Sequence, residues 1–176
     1  YRTLMKMRWQ PSLKIIPHYE SDPLYIDALV NSINKKINEI SWKPDLIIAS
    51  YHGIPKKYFD KGDPYHCYCH KTTRLISEKF SSIKIKTTFQ SRFGPQEWLQ
   101  PYTDKTLENL PKEGVKNVLT ICPGFASDCV ETLEEIQIQA KESFLNSGGE
   151  NFDMVPCLND NSDHIILLKS LIERNI

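Results

Sequence analysis

Short apolar runs alternate along the chain with stretches whose apolar residues recur every three or four positions. The runs "DLIIAS" (45–50), "IKIKTTFQ" (83–90), "KNVLTIC" (116–122) and "DMVPCLN" (153–159) read as strands, as does "LKIIPHY" (13–19) near the start. Between them, "SDPLYIDALVNSINKKINEI" (21–40) sets Leu29, Ile33, Ile37 and Ile40 on one helical face, with Ser21 as its cap and Pro23 in its first turn. The spacing predicts further helices over 63–80, near "DKTLENLP", over 127–149 and over 162–175. In the helix over 127–149, Ser127 reads as the cap, acids fill the first turns, and Val130, Leu133, Ile136, Ala140 and Phe144 form a buried stripe. Five strands alternating with helices predict an α/β three-layer sandwich, a parallel sheet with helices on both faces. No internal repeat, low-complexity tract or linker interrupts the alternation.

The length of 176 residues suits one core, and 40% apolar with 25% charged residues is the balance of an ordinary globular domain. The formal net charge of zero supplies no field to gather a polyanion, so nucleic acid is not expected as a partner. No apolar run approaches the roughly 20 residues that cross a bilayer, and no signal-peptide pattern opens the chain, which points to the cytoplasm or the matrix side of an organelle. The opening at Tyr1 without a methionine suggests the later part of something longer. Five cysteines (67, 69, 122, 129 and 157) cannot all pair with one another and are expected as reduced thiols, with Cys122 and Cys157 in the core.

An open parallel sheet binds ligands beyond the carboxyl ends of its strands. Three strand tails here hold unusual residues: "SYHGIP", "FQSRFGPQEW" and "PGFASDCVETLEE". His52 leaves its strand directly, followed by Gly53 and Pro55, which allow a sharp turn, and its imidazole can take a proton or a transition metal at cellular pH. Glu131 has Asp128 and Glu135 at i−3 and i+4, so a regular helix would stack three carboxylates in a column that repels itself unless cations visit it. Acids at a helix start also simply complement its dipole. The loop "SRFGPQEWLQPYT" supplies Arg92, Phe93, Trp98 and Tyr102, either as packing over the rim or as the wall of a flat hydrophobic ligand, with Arg92 free for a carboxylate. In "HCYCH" (66–70), helical geometry turns Cys67 and Cys69 to nearly opposite sides, which argues against a shared metal, while His66 and His70 share a face.

Three segments, "SYHGIPKKYFDKGDPY", "FQSRFGPQEWLQPYT" and "PGFASDCVETLEEI", resemble in order and spacing the signature blocks of the ferrochelatases, which insert ferrous iron into a porphyrin at the end of haem synthesis. The resemblance runs from about Tyr1 to the last helix and covers the second half of a typical member. It implies a chelatase-like, flavodoxin-like domain, the second of two similar domains. Residues 1–160 would form that C-terminal domain, and residues 161–176 a helix packing toward the missing N-terminal domain. It implies that His52 is the proton acceptor or metal ligand at the pyrrole nitrogens, that Glu131 faces it, and that Asp128 and Glu135 are supporting acids. Ser50, Gln90, Arg92, Trp98 and Phe125 would lie on the substrate side. Gln139 stands where several relatives continue the acidic column.

The substrates so implied are protoporphyrin IX and Fe2+, with no cofactor required beyond that iron, in the cytoplasm or peripherally at the inner membrane face. Some relatives hold a two-iron, two-sulfur cluster on cysteines close to the C-terminus; no cysteine follows Cys157, which argues against a cluster here. Two other functions fit the same pattern. One is a chelatase for cobalt and an earlier tetrapyrrole, whose members favour an additional histidine that "SDCVE" lacks; the other is a flavodoxin-like module that binds a ligand without chemistry.

Overall fold

In a computed structural model, which describes residues 1–176, four parallel strands form the sheet. They are β1 (Leu46–His52), β2 (Lys84–Gln90), β3 (Asn117–Ile121) and β4 (Asn151–Met154), in the order β2-β1-β3-β4. The predicted strand over 13–19 does not form, and residues 12–18 are exposed. Pro11 and Pro17 remove backbone donors at both ends of that run, leaving too few ladder bonds for a strand. The last strand starts and ends earlier than the apolar run suggested. Val155 still bonds to the Thr120 carbonyl (2.8 Å), but Pro156 has no donor with which to continue the ladder.

The helices are α1 (Pro23–Glu39), α2 (Lys56–Asp60), α3 (Tyr65–Ser77), α4 (Thr103–Asn109), α5 (Val130–Leu133), α6 (Lys141–Asn146) and α7 (Ser162–Glu173). Asp22 rather than Ser21 caps α1, its Oδ1 accepting from the Leu24 amide at 3.0 Å. Strand β1 divides the core by its two-residue period. Ile47, Ala49 and Tyr51 face a core shared with α1, α3 and α7, while Leu46 and Ile48 face one shared with α4 and the helix over 130–146. The same period turns Ser50 and His52 toward the second face. The register pairs Ser50 with Thr88 and His52 with Gln90.

The chain runs from β1 to β2 across one face and returns from β2 to β3, past β1, across the other. The connections therefore diverge between β1 and β3, at the switch point where α/β sheets open a crevice. Beyond β3 the turn is pinned by the Tyr25 hydroxyl, which donates to the Pro123 carbonyl.

The long helix predicted over 127–149 is broken into α5, a π-helical turn (Glu135–Ala140) and α6. The Glu134 carbonyl accepts from both Ile138 (3.3 Å) and Gln139 (2.9 Å), which marks the change from i+4 to i+5 bonding. One extra residue rotates the helical face before the turn by about 100° relative to the face after it. Ile136, Ala140 and Phe144 are accordingly buried, whereas Val130 and Leu133, expected in the same stripe, are 63% and 46% exposed.

Candidate functional site

His52 ends β1 with its ring half buried. Its Nδ1 lies 2.6 Å from the Gly53 carbonyl, which can only accept, so Nδ1 carries a hydrogen and, in the neutral ring, Nε2 holds the lone pair. The His52 carbonyl accepts from the Tyr65 hydroxyl at 2.9 Å, and the Phe125 ring stands 6.3 Å from the imidazole. Gly53 is required by close approach. Its amide donates to the Gln90 carbonyl at 2.7 Å, and a Cβ there would sit 2.8 Å from that same oxygen and 3.3 Å from the Trp98 ring.

Glu131 occupies the first turn of α5. Its carboxyl is held below the usual carboxylate value, chiefly by a hydrogen bond from the Cys129 side chain, then by a backbone N–H and by the charge of a protonated His52. It is ionised at neutral pH. The imidazole and the carboxylate share the carboxyl rim of the sheet and feel one another electrostatically.

Asp128 lies outside the acidic column that a regular helix would form, whereas Glu131 and Glu135 line one concavity. Asp128 precedes the helix, whose cap is Cys129 rather than Ser127, and turns toward the segment after β4. Its carboxylate accepts from the Cys157 amide (3.1 Å), Asn159 Nδ2 (2.7 Å) and Thr132 Oγ1 (3.2 Å). Burial opposes its ionisation, but these bonds leave its pKa lowered overall. Glu135 opens the π turn and accepts from the Ser91 amide (2.7 Å) and hydroxyl (2.5 Å). The late helix start thus sends Asp128 to the segment after β4, while Glu135, also held by Ser91, stays beside Glu131 on the wall of one concavity.

The residues expected on the substrate side separate into two groups. Ser50 and Gln90 are 0% and 3% exposed, and their polar side-chain atoms bond to protein. Arg92 pairs with Asp104 and covers the Tyr102 ring at 4.0 Å, so its charge is already matched. Trp98 is buried, its Nε1 donating to the Phe93 carbonyl at 3.0 Å; the Phe93 ring packs edge-on to it at 6.1 Å and is 66% exposed. Phe93 and Phe125 therefore present the apolar surface.

Two open concavities lie near these residues, one lined by Glu131 and one by Phe125, the neighbour of the His52 ring. One, of about 360 Å³, is walled by Ser91, Arg92, Phe93, Glu131, Glu134 and Glu135; the other, of about 350 Å³, by Phe125, Tyr25, Tyr51, Tyr65 and Tyr68 among others. The tyrosines of the second are not evident from sequence because they come from three separate helix and strand faces. Cys67 is exposed and Cys69 buried, and the His66 and His70 rings lie 4.4 Å apart. No group of three or more side chains converges as a ready-made metal cage anywhere in the chain.

The family model for ferrochelatase matches residues 1–176. The chain belongs to the ferrochelatase family. It is similar to the ferrochelatases of Rhizobium meliloti (strain 1021), at 56% identity over 178 residues, and Allorhizobium ampelinum, at 54%, in each case over 100% of this chain and 52% of the relative. The ferrochelatase of Brucella anthropi is 49% identical over 100% of this chain and 51% of its own length. The chain thus spans about half the length of the curated relatives it matches. Among solved structures, a multi-domain Deinococcus radiodurans protein with structural similarity to chelatases superposes with a TM-score of 0.55 at 10% identity, covering 85% of this chain and 29% of that one. That likeness bears on the fold, which is chelatase-like α/β.

Proposed function

We propose that the polypeptide containing this chain inserts Fe2+ into protoporphyrin IX, yielding haem and two protons. The observation that carries the reading is His52, whose Nδ1 bond to Gly53 directs the lone pair of the neutral ring to Nε2, on the same rim as the ionised Glu131. Free-base porphyrin holds two N–H groups in the square that the metal must enter, so insertion exchanges two protons for one dication. On this reading His52 accepts the two pyrrole protons in turn on one face and releases each to water, while Glu131 passes protons or guides the ferrous ion on the other. One imidazole and one carboxylate hold a ferrous ion weakly enough to hand it to four pyrrole nitrogens, whereas a full protein cage would keep it.

A bent macrocycle exposes its nitrogen lone pairs better than a flat one, and a cleft that binds the bent form lowers the barrier. Phe93 and Phe125 would supply this domain's share of that cleft. The preceding domain would supply the opposite wall. Helix α7 supports such a partner, because Leu167 and Leu171 face the core while Ile165, Ile166 and Ile172 are exposed on its other side. No helix is long and apolar enough to cross a membrane.

The test is anaerobic assay of the complete protein with Fe2+ and protoporphyrin IX, following loss of porphyrin fluorescence. Turnover with iron is expected. Turnover confined to cobalt with a more carboxylated tetrapyrrole, or porphyrin binding with no turnover for any ion, would contradict the reading.

A further inference from the structure

We propose that Gln90 is a positioning residue, whose buried amide sets the start of α5, and with it Glu131, at a fixed distance from the strand end that carries His52. The inference rests on the iron-insertion function proposed for this pair. Gln90 touches both arms of the site. Its backbone carbonyl accepts from the Gly53 amide at 2.7 Å, next to His52, and its Nε2 donates to the Glu131 carbonyl at 2.6 Å.

The orientation of that amide is forced. A main-chain carbonyl can only accept, so the NH2 end must face Glu131 and Oε1 must face Ser50, whose hydroxyl donates to it at 2.7 Å. Behind Ser50 the hydroxyls of Thr103 and Thr88 continue a buried chain in steps of 2.8 Å. With both ends engaged and 3% exposure, Gln90 has no polar atom left for a substrate.

α5 needs such a tether because it has four residues before the π turn, too few to be rigid alone. Ser91 adds a second grip one turn later. Its φ of 62° is the left-handed region that a non-glycine residue enters only when held, and its amide and hydroxyl both bond to the Glu135 carboxylate. Glu135 on this account fixes the helix rather than passing the metal, and Gln90 sets the gap.

The experiment uses the complete protein with Gln90→Glu and Gln90→Asn, and counts turnover per porphyrin-binding site so that partial unfolding does not register. Gln90→Glu keeps the shape and the Ser50 bond but offers an oxygen to the Glu131 carbonyl; Gln90→Asn keeps a neutral amide, one methylene too short to reach. A misplacement of about 1 Å at reacting groups lowers rates by about 100-fold, and a fall of that order in kcat is expected, with the KM and Kd for porphyrin within about two-fold. If Gln90→Glu fails to fold, Gln90→Asn decides. Unchanged kcat per site in the folded variant, or a raised KM with kcat kept, would overturn the proposal. An inactive wild-type protein would instead sink the function on which it rests.

Discussion

Gly53 meets more of its surroundings than its lack of a side chain suggests. The Gln90 carbonyl occupies the space a Cβ would take, so Gly53→Ala must push β1 and β2 apart where His52 leaves the sheet. Overpacking of this kind costs about 2 kcal/mol, which should lower Tm by roughly 4–8 °C for a domain of this size and displace the imidazole enough to cut turnover. Calorimetry of the variant checks this, and a Tm within about 1 °C of wild type would show that the strand ends yield freely. His52 and Gly53 are legible in the sequence because a strand end followed by glycine and proline leaves few geometries open. Gln90 is not: an amide can serve a ligand or a carbonyl equally well, and only its neighbours in space decide.

Among elements, the segment over 127–149 departs furthest from its sequence pattern. The 3.6-residue period predicts one straight helix with a carboxylate ladder, yet a π turn is a choice between i+4 and i+5 bonding that tertiary contacts decide. Here the bonds from Ser91 to Glu135 and from Gln90 to Glu131 hold the changeover. The entry to α5 is fixed in turn by Asp128, which ties it to the segment after β4. With its folded pKa lowered, Asp128 contributes charge-dependent stability above the unfolded carboxylate value, near 3.9, and loses it as pH falls through the lower folded value. Asp128→Ala should therefore cost about 1–3 kcal/mol at pH 7. Denaturant melts should show that difference narrowing below about pH 4. Equal midpoints for variant and wild type at pH 7 would mean that the clasp contributes nothing.

At the scale of the whole molecule, the alternation of strands and helices is enough to predict a parallel sheet wrapped on both faces, since buried parallel strands leave an unbroken apolar signature. The excess strand over 13–19 shows the limit of that signature: an apolar run between prolines has the right composition and too few donors. The switch point between β1 and β3 comes from the strand order, which pattern alone does not contain, and it is what brings residues 52 and 131 to one rim. There Glu131 lines one open concavity with Phe93, and Phe125, beside the His52 ring, lines the other.

The measurement that reaches this most directly is ferrous-iron insertion by the complete protein carrying His52→Ala, with porphyrin affinity determined in parallel. Loss of a positioned general base removes about 10²- to 10⁴-fold, so kcat should fall by at least about 100-fold while porphyrin still binds. Turnover near the wild-type rate, with the fold and the affinity intact, would show that the imidazole at the end of β1 is not where the pyrrole protons go.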